Sequence, residues 1–357
     1  MIVRAMNFND EGGYLVGSRP SALVLMNEAT FRLQFPQPEL DRLRALVNVA
    51  DPASDAPIWF ESFDSAQARE RLATAEVIIS SWGAPELTSE LLDSAPALRA
   101  VLHCAGSVRW LLPDDFYTRG LTVITAADHN AVPVAEYTLA AIILAGKRAL
   151  PLAQIGRTAP SGWGDSLGQG KVSNLGRTIG IIGLSKIGRR VVELLKVLDT
   201  GPILVCDPFA DPANVAALGA TLVSLEEVMS ASEILSLHAP LLPSTHHMIG
   251  ADQLALLPDG ATIINTARGA IIDQEALLAE CSVGRLDAIL DVTDPEPLPA
   301  GHPLLALPNV TITPHIAGAL GTETLRLSRH VLDQLERWIA GQPLEGALTP
   351  AGHEVSA

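Results

Sequence analysis

Three residues in the C-terminal half of the chain have side chains that together could reduce a carbonyl group. Arg268 lies in "INTARG", Glu296 in the proline-rich "DVTDPEP", and His315 directly after Thr313-Pro314. An arginine can bind a carboxylate through two hydrogen bonds, and a histidine beside an acid can donate a proton to an oxygen atom. Each alone also has a structural interpretation, as a loop-capping arginine, a solvated acid or a packed histidine. Together they provide the acid–base pair and the anion-binding group that hydride transfer to a 2-keto acid requires.

A turn for a dinucleotide cofactor is indicated by "GLSKIG", residues 183–188, which follows the apolar run "TIGII". The usual pattern is G-x-G-x-x-G, and Ser185 stands at the middle glycine. Serine keeps the backbone N–H and adds a hydroxyl that could donate to phosphate at a helix N-terminus. Asp207 lies 24 residues after Gly183 (207 − 183). It could accept hydrogen bonds from a ribose, or it could simply form a turn before Pro208. With both features present, we favour a cofactor turn, and the acid favours NAD over NADP.

Alternating strands and helices must position these residues. Strands are predicted in the apolar segments "SALVLM", "EVIISSW", "LRAVLHCAG", "GLTVITAA", "TIGIIG", "PILVCD", "EILSLHA", "ATIINTA", "LDAILDV" and "NVTITP". Those of the second half are apolar through most of their length rather than alternating, as in parallel strands buried on both faces. The pattern predicts an α/β fold with a doubly wound parallel sheet. We also predict a loose arm over residues 1–21, a helix over 133–150 with Pro133 in its first turn, an arm or linker over 151–176 and a helix over 323–341.

In an open parallel sheet, ligands bind beyond the carboxyl ends of the strands. The residues that follow the predicted strand ends include glycines, acids and a histidine, and they form the predicted cofactor site. The predicted cofactor-binding residues are Gly183, Ser185, Lys186, Ile187, Gly188, Asp207, His238, Ala239, Pro240, Thr266, Ala267 and Asp291.

Composition limits the classes of partner. The formal net charge is −16, which disfavours nucleic acid and anionic membranes, because both require clustered Lys and Arg. No apolar stretch approaches the length of a membrane span. The three cysteines are far apart and predict free thiols in a reducing cytoplasm. No Cys/His spacing indicates a zinc site, and we interpret His246 and His247 in "PSTHHMIG" as surface or packing residues.

The chain resembles the D-isomer-specific 2-hydroxyacid dehydrogenase family over roughly residues 75–345. The similarity is densest in "GRTIGIIGLSKIGRRV", "IINTARGAIIDQEAL", "AILDVTDPEPLP" and "HPLLALPNVTITPHIAG". It implies a Rossmann coenzyme domain over 131–317 and a discontinuous, flavodoxin-like α/β substrate domain over 22–130 and 318–357. It also implies a homodimer joined through residues 133–176, and an enzyme that uses NAD(H) to interconvert a 2-keto acid and a D-2-hydroxy acid. In that comparison Arg268 binds the substrate, His315 is the general acid/base and Glu296 is its partner.

The resemblance also points to "CAGSVR", residues 104–109, as a substrate loop. Its predicted substrate-binding residues, together with Arg268, are Ala105, Gly106, Ser107 and Arg109. Many relatives have a glycine-rich sequence leading to Asn or Asp here, so the loop leaves the substrate open. Arg109 either meets a second anionic group on the substrate or is a surface residue paired with Asp114 or Asp115. Glu296 argues against the formate-oxidising branch, which has an amide there. A non-catalytic, NAD-sensing corepressor of the same fold is the alternative function.

Overall fold

The computed structural model describes residues 19–49, 57–158, 162 and 171–354. The predicted arm over 1–21 lies outside the described residues except for its last three. The chain forms two compact units, with the changes between Asn130 and Ala131 and between Gly318 and Ala319. Each unit is built on a parallel sheet. The predicted α/β class is therefore confirmed.

The first unit contains a five-stranded parallel sheet in the order β2-β1-β3-β4-β5. Its strands are β1 (Ala22–Leu25), β2 (Trp59–Phe60), β3 (Val77–Ser80), β4 (Ala100–His103) and β5 (Thr122–Thr125). Its helices are Glu28–Gln34, Gln37–Leu46, Ala66–Thr74, Ser89–Asp93, Thr324–Ile339 and Pro350–Glu354. Helix Thr324–Ile339 packs on one face of the sheet through Val331, Leu332 and Leu335, which are all fully buried. A helix from the last forty residues therefore completes the core of a unit whose strands come from the first 130 residues.

The second unit contains a seven-stranded parallel sheet in the order β12-β11-β10-β9-β6-β7-β8. Its strands are β6 (Ile179–Ile182), β7 (Ile203–Cys206), β8 (Thr221–Leu222), β9 (Ile234–Leu237), β10 (Thr262–Asn265), β11 (Asp287–Leu290) and β12 (Val310–Ile312). Helices Ala149–Thr158, Lys186–Leu195, Pro212–Ala217, Leu225–Ala231, Ala251–Leu256 and Gln274–Ser282 connect or cover them, and helix Ala127–Gly146 leads into the unit. The chain runs outward from β6 to β8 and then returns to β9 on the other side of β6. That reversal makes the carboxyl ends of β6 and β9 the expected ligand-binding edge of a doubly wound sheet.

The region around the predicted helix 133–150 differs from expectation. The helix is Ala127–Gly146, so Pro133 occupies its seventh position and not its first turn, and a second helix, Ala149–Thr158, lies where a linker was predicted. Pro133 removes only one backbone hydrogen bond there, while buried residues on either side of it hold the helix in the core. Arg148 separates the two helices with a left-handed φ of 47°. Among the described residues, no single helix has the length and apolar composition of a membrane span. The two helices of this pair reach that length and composition only when counted together, and they are bent by 63° relative to each other.

Candidate active site

The turn after β6 can be formed only with glycine at its first position. Gly183 has a φ of 90°, and a Cβ atom there would lie 2.6 Å from the backbone nitrogen of Ala239. A Cβ on Gly188 would lie 2.1 Å from the carbonyl oxygen of Gly183. The two glycines therefore let helix Lys186–Leu195 begin directly against the ends of β6 and β9. This places the N-terminus of a ten-residue helix at the edge where the sheet reverses.

Ser185 is the N-cap of that helix. Its hydroxyl oxygen accepts a hydrogen bond of 3.3 Å from the N–H of Gly188. A hydroxyl that accepts one bond can still donate its own proton. The serine that departs from the glycine pattern therefore stabilises the helix start and keeps a donor for a phosphate oxygen. Lys186 beside it is exposed, and Ile187 is half-buried against the core.

Asp207 is fixed by two backbone groups. One carboxylate oxygen accepts from the N–H of Leu184 at 2.7 Å, and the other accepts from the N–H of Phe209 at 2.8 Å. The second bond is the turn expected before Pro208, and the first ties β7 to the glycine turn. A carboxylate has about four acceptor positions, so both bonds leave capacity for ribose hydroxyls. Both sequence-based interpretations of this acid are therefore compatible with its geometry.

The ring of His238, one of the predicted cofactor residues, lies in the interior. It is 2% exposed and its Nε2 lies 2.9 Å from the hydroxyl of Ser236. Burial lowers the pKa of this imidazole to about 3, so the ring is neutral at physiological pH. His238 therefore contributes its backbone to the edge, next to the buried Ala239 and the half-buried Pro240. Its side chain is a packing element.

Arg268 follows β10 on a turn organised by Asn265. The Asn265 side chain accepts from the N–H of Ala267 at 3.0 Å and donates to the carbonyl of Arg268 at 2.9 Å. Burial lowers the pKa of the Arg268 guanidinium from its ordinary value, and the negative charge of Glu296 opposes that shift. The guanidinium remains charged. Thr266 beside this turn is bonded to the hydroxyl of Thr138 at 3.1 Å.

His315 and Glu296 form a direct pair. Nδ1 of His315 lies 2.6 Å from Oε1 of Glu296, and about half of the histidine side chain is exposed. The carboxylate fixes Nδ1 as the protonated nitrogen facing it, which directs Nε2 away from the acid. His315 has a φ of 54°, in the left-handed region where non-glycine residues are uncommon. Such strain is typical of functional sites and requires surrounding contacts to hold it.

Asp291 supplies those contacts. Its carboxylate, 2% exposed, accepts from the hydroxyl of Thr313 at 2.6 Å and from the N–H groups of Ile316 and Ala317 at 2.8 Å each. Its carbonyl oxygen accepts from the N–H of His315 at 2.9 Å. The Thr313 hydroxyl in turn lies 2.7 Å from the hydroxyl of Tyr137. Asp291 therefore determines the position of the histidine.

Sequence reasoning missed the supporting residues Asn265, Thr313 and Tyr137. The first two lie in quoted motifs, beside Arg268 and His315, and their polar side chains were the available signal. Tyr137 lies 176 residues from its partner, and no local pattern indicates it. The second unit thus brings Glu296 and His315 together and places the Glu296 charge near Arg268.

The predicted substrate loop 104–109 belongs to the first unit. The carbonyl of Cys104 accepts from the Gln34 side chain at 2.9 Å, and Ala105 is 1% exposed, so the loop starts from fixed backbone. Gly106 and Ser107 are half-buried, and Arg109 is exposed.

Of the two acids considered as partners for Arg109, Asp115 forms an ion pair with Arg119 at 2.6 Å and accepts from the Ser89 hydroxyl at 2.8 Å. These contacts lower the pKa of the Asp115 carboxyl, the bond from Arg119 most.

The similarity to known proteins covers the same elements. Residues 142–317 match the family model described as "D-isomer specific 2-hydroxyacid dehydrogenase, NAD binding domain". The chain is 33% identical over 260 residues to a glyoxylate reductase of Aeropyrum pernix, and the aligned residues make up 71% of this chain and 77% of that protein. The chain belongs to the D-isomer specific 2-hydroxyacid dehydrogenase family. The predicted family and the predicted NAD-binding fold are thereby confirmed.

Other members of this dehydrogenase family are longer than this chain. A D-3-phosphoglycerate dehydrogenase of Methanocaldococcus jannaschii is 30% identical over 281 residues, which make up 78% of this chain and 52% of that protein. The chain therefore spans about half the length of such relatives. Among solved structures, the TT0316 protein of Thermus thermophilus has a TM-score of 0.73 and 29% identity, with 92% of this chain and 99% of that chain covered.

The residues present fit NAD. The helix N-terminus behind Gly183, the Ser185 hydroxyl and the Asp207 carboxylate offer a donor set for pyrophosphate followed by acceptors for a ribose. A side chain at Gly183 would collide with the backbone of Ala239, so the first position of the turn requires glycine, as the dinucleotide-binding pattern has it.

Proposed function

We propose that the protein is an NAD(H)-dependent oxidoreductase that interconverts a 2-keto acid and a D-2-hydroxy acid. The observation that carries this proposal is the His315–Glu296 pair, 2.6 Å apart and held on a left-handed turn by the buried Asp291. A histidine that serves only packing does not need an exposed ring, a carboxylate partner and a strained backbone together. An exposed ring with a carboxylate partner suits general acid–base catalysis, and a strained backbone is typical of functional sites.

Each residue of the proposed site has a separate role in reduction. Arg268 binds the substrate carboxylate, because its guanidinium is charged, half-buried and held next to the acid–base pair. His315 donates its Nε2 proton to the keto oxygen while Glu296 stabilises the imidazolium form. NADH, when bound, supplies the hydride. In the reverse direction His315 accepts the proton of the hydroxyl group.

The preference for NAD over NADP is proposed to come from Asp207. Its carboxylate is oriented by Leu184 and Phe209, at the position after β7 where an adenosine ribose is expected. An unmodified 2′-hydroxyl can donate to that carboxylate. A 2′-phosphate would place a second anion beside it and be repelled.

The proposed substrate class rests on the names of the relatives and on the predicted substrate loop of the first unit. Relatives include proteins named for glyoxylate and for D-3-phosphoglycerate, which differ in whether a second anionic group is present. Arg109 is exposed on the proposed substrate loop, where its guanidinium could contact such a group. These observations favour a substrate with a second anionic group, such as a carboxylate, phosphonate or phosphate, at the end remote from the keto acid.

A NAD-sensing corepressor of the same fold is the alternative, and turnover separates the two. The experiment is a screen of NADH oxidation with purified protein across 2-keto acids with and without a second anionic group. We expect consumption of NADH by at least one keto acid and formation of the D-isomer, identified by chiral chromatography. Binding of NADH without turnover of any member of the panel would favour the corepressor.

The assembly and compartment are also proposals. We infer a homodimer from the family resemblance and a reducing, cytoplasmic environment from three free cysteines, of which Cys104 and Cys281 are buried. Light scattering coupled to size-exclusion chromatography tests the dimer. A mass equal to one chain at micromolar concentration would contradict it.

A further inference from the structure

Three side chains with metal-ligating atoms converge beside the proposed site without taking part in it. His246, His247 and Asp294 are all exposed, and one ligand atom from each lies within 4.8 Å of the other two. Asp294 lies 47 residues beyond His247 in the chain (294 − 247), so no local spacing reveals the group. The interpretation of the two histidines as surface or packing residues therefore missed their third neighbour.

The backbone at His247 places both rings on one side of the chain. Consecutive side chains of an extended segment point in opposite directions. Here His247 has a left-handed φ of 50°, and the two rings stack with their centroids 4.0 Å apart and their planes at 26°. Backbone bonds hold the segment, from the N–H of His246 to the carbonyl of Leu242 at 3.0 Å and from the N–H of His247 to the carbonyl of Ala270 at 2.8 Å.

Asp294 is positioned by the turn at Gly269–Ile271, to which the backbone of His247 is also hydrogen-bonded. A Cβ atom on Gly269 would lie 2.1 Å from the backbone carbon of Thr293, so the segment that carries Asp294 packs directly on this glycine. The N–H of Asp294 also donates to the side chain of Gln274 at 3.0 Å. Both parts of the cluster therefore rest on the short helical turn Gly269–Ile271. Their proximity follows from packing and not from the chance position of two loops.

We propose that His246, His247 and Asp294 form a binding site for a divalent transition-metal ion such as Zn²⁺. Two imidazole nitrogens and one carboxylate oxygen are a donor set that zinc accepts, with water completing a tetrahedron. Bond lengths of about 2.0–2.2 Å place tetrahedral donors about 3.4 Å apart. The three side chains are exposed, so the two histidine rings can rotate out of their stack and bring the donor atoms from within 4.8 Å to that separation. Ca²⁺ and Mg²⁺ prefer oxygen ligands and suit the site poorly.

This inference does not depend on the proposed enzymatic function. None of the three ligands belongs to the acid–base pair, although Asp294 lies two residues before Glu296. A bound ion would connect the loop that carries Glu296 to the segment that carries His246. Binding should therefore slow backbone amide exchange around residue 294 as well as give a direct binding signal.

The test is calorimetric titration of ZnCl₂ into the full chain, prepared without a histidine tag and freed of metal by chelation followed by desalting. We expect one ion per chain. His246→Ala and Asp294→Asn should each weaken binding at least tenfold, since even partners of metal ligands affect affinity by about 10–100-fold. His247→Asn is the third variant, because asparagine tolerates a left-handed backbone. Asp252→Asn, which removes a charge from an exposed position in the same unit, should bind as the wild type does.

Circular dichroism establishes that each variant is folded, and His246→Gln replaces His246→Ala if the alanine variant is not. Substitution by Co²⁺ adds a second readout, since a tetrahedral site gives strong visible absorption that the three variants should lose. Two results would overturn the proposal. One is a wild-type chain that shows no Zn²⁺ binding in the titration. The other is binding that all the ligand variants retain at the wild-type level, which would place the ion elsewhere.

Discussion

Replacing Asp291 with asparagine tests how the protein holds its proposed acid–base histidine. The carboxylate accepts three hydrogen bonds from Thr313, Ile316 and Ala317, at 2.6, 2.8 and 2.8 Å. An asparagine in the same rotamer keeps its oxygen toward Thr313 and Ile316 and points its NH₂ group at the N–H of Ala317. Two donors then face each other in the interior, where Ala317 is 3% exposed. The flipped amide instead points its NH₂ group at the N–H of Ile316, so one buried backbone donor loses its acceptor in either orientation.

The magnitude follows from those contacts. A buried donor left without an acceptor costs about 1–3 kcal/mol, and the two remaining bonds lose charge assistance worth about 1 kcal/mol together. Asp291→Asn should therefore lower the free energy of unfolding by about 2–4 kcal/mol. Displacement of His315 should also lower kcat by about 10–100-fold, since a shift of about 1 Å in a catalytic group can cost 10²-fold. Affinity for NADH should change little, because the glycine turn is not altered.

Three measurements on one preparation decide the matter: urea unfolding, steady-state kinetics on the best keto acid, and NADH binding by fluorescence. Asp252→Asn is the control for loss of charge and should change stability by less than about 1 kcal/mol, as expected of an exposed acid in a first helical turn. If Asp291→Asn kept wild-type stability and kcat but bound NADH weakly, the residue would act on the cofactor directly. The positioning role assigned to it here would then be wrong.

Three further predictions concern other parts of the fold. Ser185→Ala should destabilise the protein by about 1 kcal/mol in urea unfolding through loss of the helix cap, whereas Ser185→Gly should cost only a few tenths. Arg109→Ala should erase a preference of about tenfold or more for dianionic keto acids in kcat/KM while sparing pyruvate-like substrates; equal losses on both would make it structural. The pKa of buried His238, about 3 against 6.5 unfolded, gives stability that is complete above pH 6.5 and lost as pH falls toward 3. When the pH falls from about 7.5 to about 5.5, the free energy of unfolding of His238→Gln should therefore decrease by about 1.4 kcal/mol less than that of the wild type. An equal decrease in both proteins would contradict this.

The sequence predicted the fold well because its signals are local. Strands such as β6 and β9 are mostly apolar and are bounded by turn residues, and Gly183 and Gly188 mark the predicted cofactor turn within six residues. The two-residue strands β2 and β8 were missed, because so short a segment carries no periodicity. The start of helix Ala127–Gly146 was misplaced because Pro133 is typical of a first turn, yet surrounding buried residues overrode that preference.

The sequence indicated which residues could form the proposed site, but it did not indicate all the residues that hold them in place. Arg268, Glu296 and His315 follow strand ends, so sequence order placed them at one edge. The bond between Tyr137 and Thr313 joins residues far apart in the chain, and the burial that makes His238 a packing residue depends on the assembled sheet. For the same reason, the sequence did not indicate that Asp294 lies next to His246 and His247. Long-range packing creates these relationships, and local pattern does not encode them.

The most direct test of the proposed mechanism is a single-turnover measurement of NADH oxidation by the His315→Asn variant. Asparagine tolerates the left-handed backbone at φ 54° but cannot donate a proton from an imidazolium. With excess enzyme and the best 2-keto acid, the variant should bind NADH as the wild type does. It should transfer the hydride about 10²–10⁴-fold more slowly, the usual contribution of a positioned general acid. A variant that oxidises NADH at the wild-type rate would contradict the assignment of His315 as the acid.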